Sequence, residues 1–165
     1  MAERLSFRWS YIIAPLAVLL LSLALAIYFY HRLPAELAYH FELDGTPDRW
    51  LSREATMLWM LLPQLAFVLV AWGVAWGVTR FSRRFGQIKG TAVGAEKVVL
   101  FMGNLIALPQ LLLCFAMVDI FSYNLYQTHL MPIWAFLLVI LVLVTIDLGV
   151  FLVYIFSKVR GGQRG

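Results

Sequence analysis

The chain has 165 residues, is 62% hydrophobic and 13% charged, and carries a formal net charge of +4. Soluble domains are nearer half apolar and a quarter charged, and a core of this size cannot hide the surplus, so a water-soluble globule is excluded and lipid becomes the expected solvent. The basic residues fall in short segments between apolar runs, which argues against a nucleic-acid-binding patch and makes them reporters of membrane orientation.

Four apolar segments, each of at least 20 residues, are predicted to span the bilayer: 11–30, 55–79, 98–121 and 132–156. A helix needs about 20 residues to cross the hydrocarbon, and backbone groups in lipid must bond within their own segment, which selects helices over strands. The first segment has a signal-peptide look, with Arg4 and Arg8 before it and Ala24-Leu25-Ala26 resembling a cleavage site. Its run is longer than a signal-peptide core and ends in the interfacial cluster Tyr28-Phe29-Tyr30, so it reads as an uncleaved first span.

The loop 31–54 holds five of the nine acids: Glu36, Glu42, Asp44, Asp48 and Glu54. Leu37, Tyr39 and Phe41 alternate with Ala38, His40 and Glu42, a period of two that predicts a short strand. Asp44-Gly45 and Thr46-Pro47-Asp48 are turn signals, Ser52 is placed to N-cap the second span with Glu54 in its first turn, and Trp50 belongs at headgroup level.

The second span contains Leu62-Pro63-Gln64-Leu65 and then Gly73-x-x-x-Gly77 flanked by Trp72 and Trp76. Small residues four apart let helix backbones approach, so this face is expected to pack on another span, or else on a second copy or a partner subunit. Segment 80–97 is basic and attracts anionic headgroups; it completes no phosphate loop. The third span carries Asn104, Leu108-Pro109-Gln110-Leu111, the lone Cys114 as an apolar filler, and Asp119 near interfacial water beside Ser122, Tyr123 and Tyr126. A short loop, 122–131, leads to the fourth span with Asp147 near its middle, and 157–165 forms a tail.

Ten Lys and Arg residues lie in the N-terminus, the middle loop and the C-terminus, against Arg32, Arg49 and Arg53 in the first loop and none in 122–131. That bias predicts both termini inside and both short loops outside. The expected architecture is therefore an all-α, four-transmembrane-helix bundle forming one membrane domain, with a structured outer loop containing a small β-hairpin. Ionisable groups at this depth are costly, so Asp147 reads either as a paired or protonated helix glue or as a proton or cation relay. Asn104 falls at a similar depth, which predicts an Asn104–Asp147 hydrogen bond. Gln64 and Gln110, with Ser22, are expected to make a second polar layer, each amide answering a carbonyl that a neighbouring proline frees.

Pro34, His40-Phe41, Gly45, Pro47-Asp48, Trp50 and Ser52 are spaced as P-x5-H-F-x3-G-x-P-D-x-W-x-S. Together with the Leu62-Pro63 that follows, this resembles the first outer loop of the Sdp-immunity-like membrane proteins and of the wider bacterial group that shares this N-terminal domain of unknown function. The resemblance covers roughly residues 11–80. It implies a bacterial cytoplasmic-membrane protein, and in the best-known members immunity to a secreted peptide toxin and capture of a repressor at the membrane. Those members carry further spans and a C-terminal region that this sequence does not match, so the shared loop domain is what the resemblance implies here.

Three functional readings follow. The first is a non-enzymatic membrane protein whose outer loop recognises an extracellular peptide or partner, with His40 held by a backbone carbonyl or by Asp48. The second is an accessory subunit of a larger assembly, joined through Gly73 and Gly77. The third is a small proton-coupled transporter using Asp147, Asn104, Gln64 and Gln110. No cofactor is expected. His31, His40, Asp44 and Asp48 form no compact metal-ligand motif, and no catalytic constellation gathers on one side of the membrane.

Overall fold

A computed structural model describes residues 6–42, 45–85 and 92–162; of the side chains, those of 81–95, 97 and 98 and many of those after 131 lie outside the description. A turn of 3₁₀-helix, Trp9–Ile12, leads into α1 (Ile13–Tyr30). The strands β1 (Glu36–Phe41) and β2 (Pro47–Ser52) follow, then α2 (Arg53–Phe85), α3 (Ala92–Leu105), α4 (Ala107–Tyr126) and α5 (Ile133–Gly162). Residues 1–130 form one unit and residues 131–165 a second.

Among the described residues, three helical stretches are long and apolar enough to cross a membrane: Trp9–Tyr30, Arg53–Arg80 and Val99–Tyr126. Protein buries only 28, 22 and 39% of their apolar windows. Leu20, Ile27, Trp59, Leu69 and many other large apolar side chains point outward, as helices solvated by lipid require. The segment expected as a fourth span, 132–156, falls in α5 except for Pro132; α5 is a continuous helix of 30 residues in which the Thr145 hydroxyl donates to Leu141 O at 2.7 Å.

The third span differs from the single helix expected over 98–121. It starts earlier, breaks at Ile106 and runs on to Tyr126, so much of the expected loop 122–131 is helix. Pro109 brings no N–H, and its ring crowds the carbonyl four residues back, that of Leu105, the last residue of α3. Pro63 by contrast is absorbed inside α2, and Pro15 stands in the first turn of α1, where a missing N–H costs nothing. Helix α4 stops at Gln127, whose φ of 55° is left-handed and whose N–H returns to Tyr123 O at 2.8 Å.

The core of the first unit is three small clusters strung along α1. One, at the hairpin end, joins Ala26, Leu33, Leu37, Met57, Met117, Ile120 and Phe121. A middle one joins Val18, Ala107 and Cys114, so the cysteine is a buried thiol. The third, at the far end, joins Tyr11, Ile12, Ala71, Ala75 and Val99.

Close approach of backbones happens at the far end, though not where the Gly73/Gly77 pair predicts. A Cβ at either glycine meets nothing within 4 Å. The small residues of α2 that are fully covered are Ala71 and Ala75, also four apart but on a different face. The glycine that matters sterically is Gly103 on α3, where a Cβ would run into the carbonyl of Tyr11. An Arg8–Glu96 ion pair at 2.6 Å closes the same end. Gly103→Ala is therefore expected to lower stability by about 1–3 kcal/mol through overpacking. Gly73→Ala should stay within about 0.5 kcal/mol of the parent. Thermal unfolding of the two variants in one detergent reads the contrast, and equal losses would remove the Gly103 assignment.

Candidate functional site: the hairpin and its dock

The loop between α1 and α2 folds as an antiparallel hairpin. Leu37 pairs with Leu51, Ala38 with Trp50, His40 with Arg49 and Phe41 with Pro47, with register shifts on either side of His40. Alternation puts Leu37 (0% exposed) into the core, while Trp50 stands 55% exposed. Gly45 takes a φ of 86°, the left-handed turn conformation that glycine tolerates. Its N–H bonds Glu42 O at 2.9 Å, and Glu42 N–H bonds Thr46 O at 2.9 Å.

Both ends of the hairpin are pinned to the helices it connects. The Ser52 hydroxyl accepts from Ala55 N–H at 3.3 Å, the expected N-cap, and Glu54 lies in the first turn of α2. Arg53 crosses back to α1. Its guanidinium donates to Tyr30 O at 3.1 Å and to Leu33 O at 3.2 Å, and lies over the Tyr30 ring at 4.3 Å. Pro34, exposed, sits between these anchors and β1.

The hairpin then docks on the end of α4. Asn124 reads one residue of β1 at two points: its Oδ1 accepts the Ala38 N–H and its Nδ2 donates to Ala38 O, both at 2.9 Å. Ala38 is 2% exposed, so without Asn124 both of its backbone groups would be buried unpaired. Beside it, Phe41 meets Tyr123 and His129 edge-on, each with ring centroids 4.7 Å away, and Tyr123 and His129 stack at 4.9 Å. A Cβ added at Gly45 would come within 3.8 Å of the same His129 ring. Asp119 holds that histidine, with Oδ2 at 2.8 Å from Nδ1, while its Oδ1 accepts Leu130 N–H at 2.7 Å. Asp119, expected near interfacial water, thus also braces this partly exposed cluster.

His40 is bonded to Asp48, Nδ1 to Oδ1 at 2.6 Å, which decides between its two expected partners. An ionised carboxylate only accepts, so His40 Nδ1–H is the donor of this hydrogen bond. The hydrogen bond from His40 holds the Asp48 carboxyl below the usual carboxylate range; the His40 and Arg49 charges lower it further, and partial desolvation opposes them. His40–Asp48 and Asp119–His129 are two-membered, and no group of three or more metal-ligating side chains occurs among the described residues.

Deeper in the unit lies the expected polar layer. The Ser22 hydroxyl stands 2.7 Å from Gln64 Oε1, and Gln110 Nε2 donates to Gln64 O at 3.0 Å and Pro15 O at 3.3 Å. The Gln110 amide thus reaches carbonyls on α2 and α1, and those two are not the ones Pro63 and Pro109 free. Asn104 serves the start of α1: Oδ1 accepts Ala14 N–H at 2.9 Å, and Nδ2 donates to Ser10 O at 3.0 Å and Leu100 O at 2.8 Å. The side chains of Asp147 and Asp44 lie outside the described residues.

Sequence reasoning missed Asn124, His129 and Gly103. Asn124 and His129 sit in a polar run beside a helix end, where such residues normally face water, and nothing local marks their partners 86 and about 88 residues away.

A family model described as a domain of unknown function (DUF1648) matches residues 17–63, from within α1 through the hairpin to Pro63. No curated protein and no solved structure matches the chain. The matched segment is the one whose hairpin is docked here.

Asn124→Ala is expected to cost about 1–3 kcal/mol, the price of stranding two buried backbone groups. Hydrogen exchange at the Ala38 amide should then rise sharply while α1 amides stay protected. Unchanged Ala38 exchange would show that the dock does not depend on Asn124. The lowered Asp48 pKa has a defined sign: its carboxylate favours the folded hairpin above its unfolded pKa, and that contribution is lost as pH falls through the lower folded value. The Asp48 carboxyl ¹³C signal should therefore titrate below an ordinary aspartate, and His40→Ala should move it back up.

Proposed function

We propose that this chain is a multi-pass protein of the bacterial cytoplasmic membrane, with both termini inside, that recognises an extracytoplasmic peptide or protein through the docked hairpin. The three membrane-length apolar helices support the membrane setting, and the ten-to-three basic bias supports the orientation. The spacing shared with immunity-type proteins supports the kind of task.

One observation carries the reading: the hairpin divides its motif residues between two jobs. Phe41 turns inward onto Tyr123 and His129, whereas Trp50 remains exposed, with the non-motif Arg49 exposed next to the His40–Asp48 pair. A loop needed only to join two helices could be short. This one is a two-stranded unit locked to α4, which holds an aromatic and several charges in a fixed pattern, and such fixed aromatic and arginine side chains anchor interfaces.

A second reading is favoured by a separate observation. Gly73 and Gly77 are open, and the neighbouring Trp72 and Trp76 stack with ring centroids 6.1 Å apart while each stays over 40% exposed. That surface suits a partner helix, as in an accessory subunit.

Cells lacking the chain are expected to become sensitive to a peptide in the spent medium of their own strain. The unaltered chain should restore growth, and a Trp50→Ala, Arg49→Ala variant present at equal abundance in the membrane should not. Equal survival with and without the chain rejects the recognition reading. A single-chain mass in native-lipid particles rejects the subunit reading.

A further inference from the structure

The layer of Ser22, Gln64 and Gln110 is satisfied on one side only. All three residues are 0% exposed, and Gln64 lies about 16 Å along α2 from Arg53, deep in the apolar span. The two N–H groups of Gln110 Nε2 are committed to Pro15 O and Gln64 O, which fixes the amide plane. Its Oε1 is then left buried without a partner. The Ser22 hydroxyl stands against Gln64 Oε1, and Gln64 Nε2 is likewise buried without a partner. A donor on α2 and an acceptor on α4, helices joined by a hydrogen bond, are thus buried unpaired.

The serine narrows what can answer them. Its single proton has two acceptors in reach, Val18 O at 2.9 Å and Gln64 Oε1 at 2.7 Å, and it can serve one at a time. If the proton goes to Gln64, the unanswered pair is one donor and one acceptor. If it goes to Val18, the Gln64 amide turns over to donate to the serine oxygen, and the unanswered pair is two acceptors. A ligand that fits both arrangements must donate and accept. A cation fits at most the second, and an apolar filler neither.

We infer that the Gln64–Gln110 layer is a binding site for a buried water molecule held by these two amides. Water is small enough to enter a packed helix interior, and buried waters characteristically complete polar groups that protein leaves unpaired. In lipid no bulk solvent can do so. The bound water adds a further bridge at mid-depth, where direct hydrogen bonds already join α1, α2 and α4, and it does not depend on what the hairpin recognises.

The test is solid-state NMR of the full, isotope-labelled chain in phospholipid vesicles, reading polarisation transfer from water to the glutamine side-chain amides. The expected result is transfer to Gln64 Nε2 but none to the backbone amides of Leu65 and Leu111 beside it. In Gln110→Leu that transfer is lost. Should Gln110→Leu fail to fold, Gln64→Met read at the Gln110 amide serves in its place, with the same loss expected. Absence of transfer in the unaltered chain, or transfer that survives removal of the partner glutamine, overturns the site.

Discussion

A backbone carbonyl or N–H in hydrocarbon must find a partner inside the protein, and most features of this molecule follow from how the third span meets that demand. Three amide side chains project from it at successive depths. Asn104 takes the Ala14 N–H in the first turn of α1 and the carbonyl of Ser10. Gln110 takes carbonyls of Pro15 and Gln64. Asn124 takes both backbone groups of Ala38. An amide suits this work because it donates and accepts without carrying charge, so it bonds the backbone in both directions at far lower desolvation cost than a carboxylate or an ammonium. Since every partner outside the span itself lies in the N-terminal 64 residues, the third span acts as a toothed strut against which that half is indexed.

The parts visible from sequence were those where a rule acts locally. Apolar length marked the three membrane-length helices, alternation around Leu37–Phe41 marked β1, and Ser52 marked the start of α2. Gln64 and Gln110 stood out because an amide in an apolar run needs a partner. The parts that stayed hidden depend on which faces meet. Small residues four apart occur twice on α2, and spacing alone does not distinguish Gly73/Gly77 from Ala71/Ala75; the register against α3 and the N-terminal turn selects the alanines. The Pro109 break was legible as a disturbance, but not as a division of the span, since Pro63 leaves α2 whole. Asn124 and His129 were illegible because an asparagine or histidine beside a helix end is ordinary until a hairpin from 86 residues away lands on it.

The segment that matches the domain of unknown function ends at Pro63, yet its geometry is completed from elsewhere. Asn124, Tyr123 and His129 dock its hairpin, and Gln110 reaches its α2 just beyond the matched end. That segment alone would leave the Ala38 backbone unpaired and Phe41 without its aromatic neighbours. The matched unit is thus a helix–hairpin–helix whose precise shape is set by the helix that follows it.

Two-stranded sheets invite trouble, because each outer edge is a row of unused hydrogen-bonding groups. Here the edge of β1 is stoppered by the Asn124 side chain, which imitates the neighbouring strand that is not there. The other strand opens with Pro47, an imino residue with no hydrogen to give, and the irregular pairing around His40 spoils the straight run a newcomer would need. Lengthening the sheet past β1 would have to displace Asn124, and past β2 it would start from a strand whose first residue has no N–H to give.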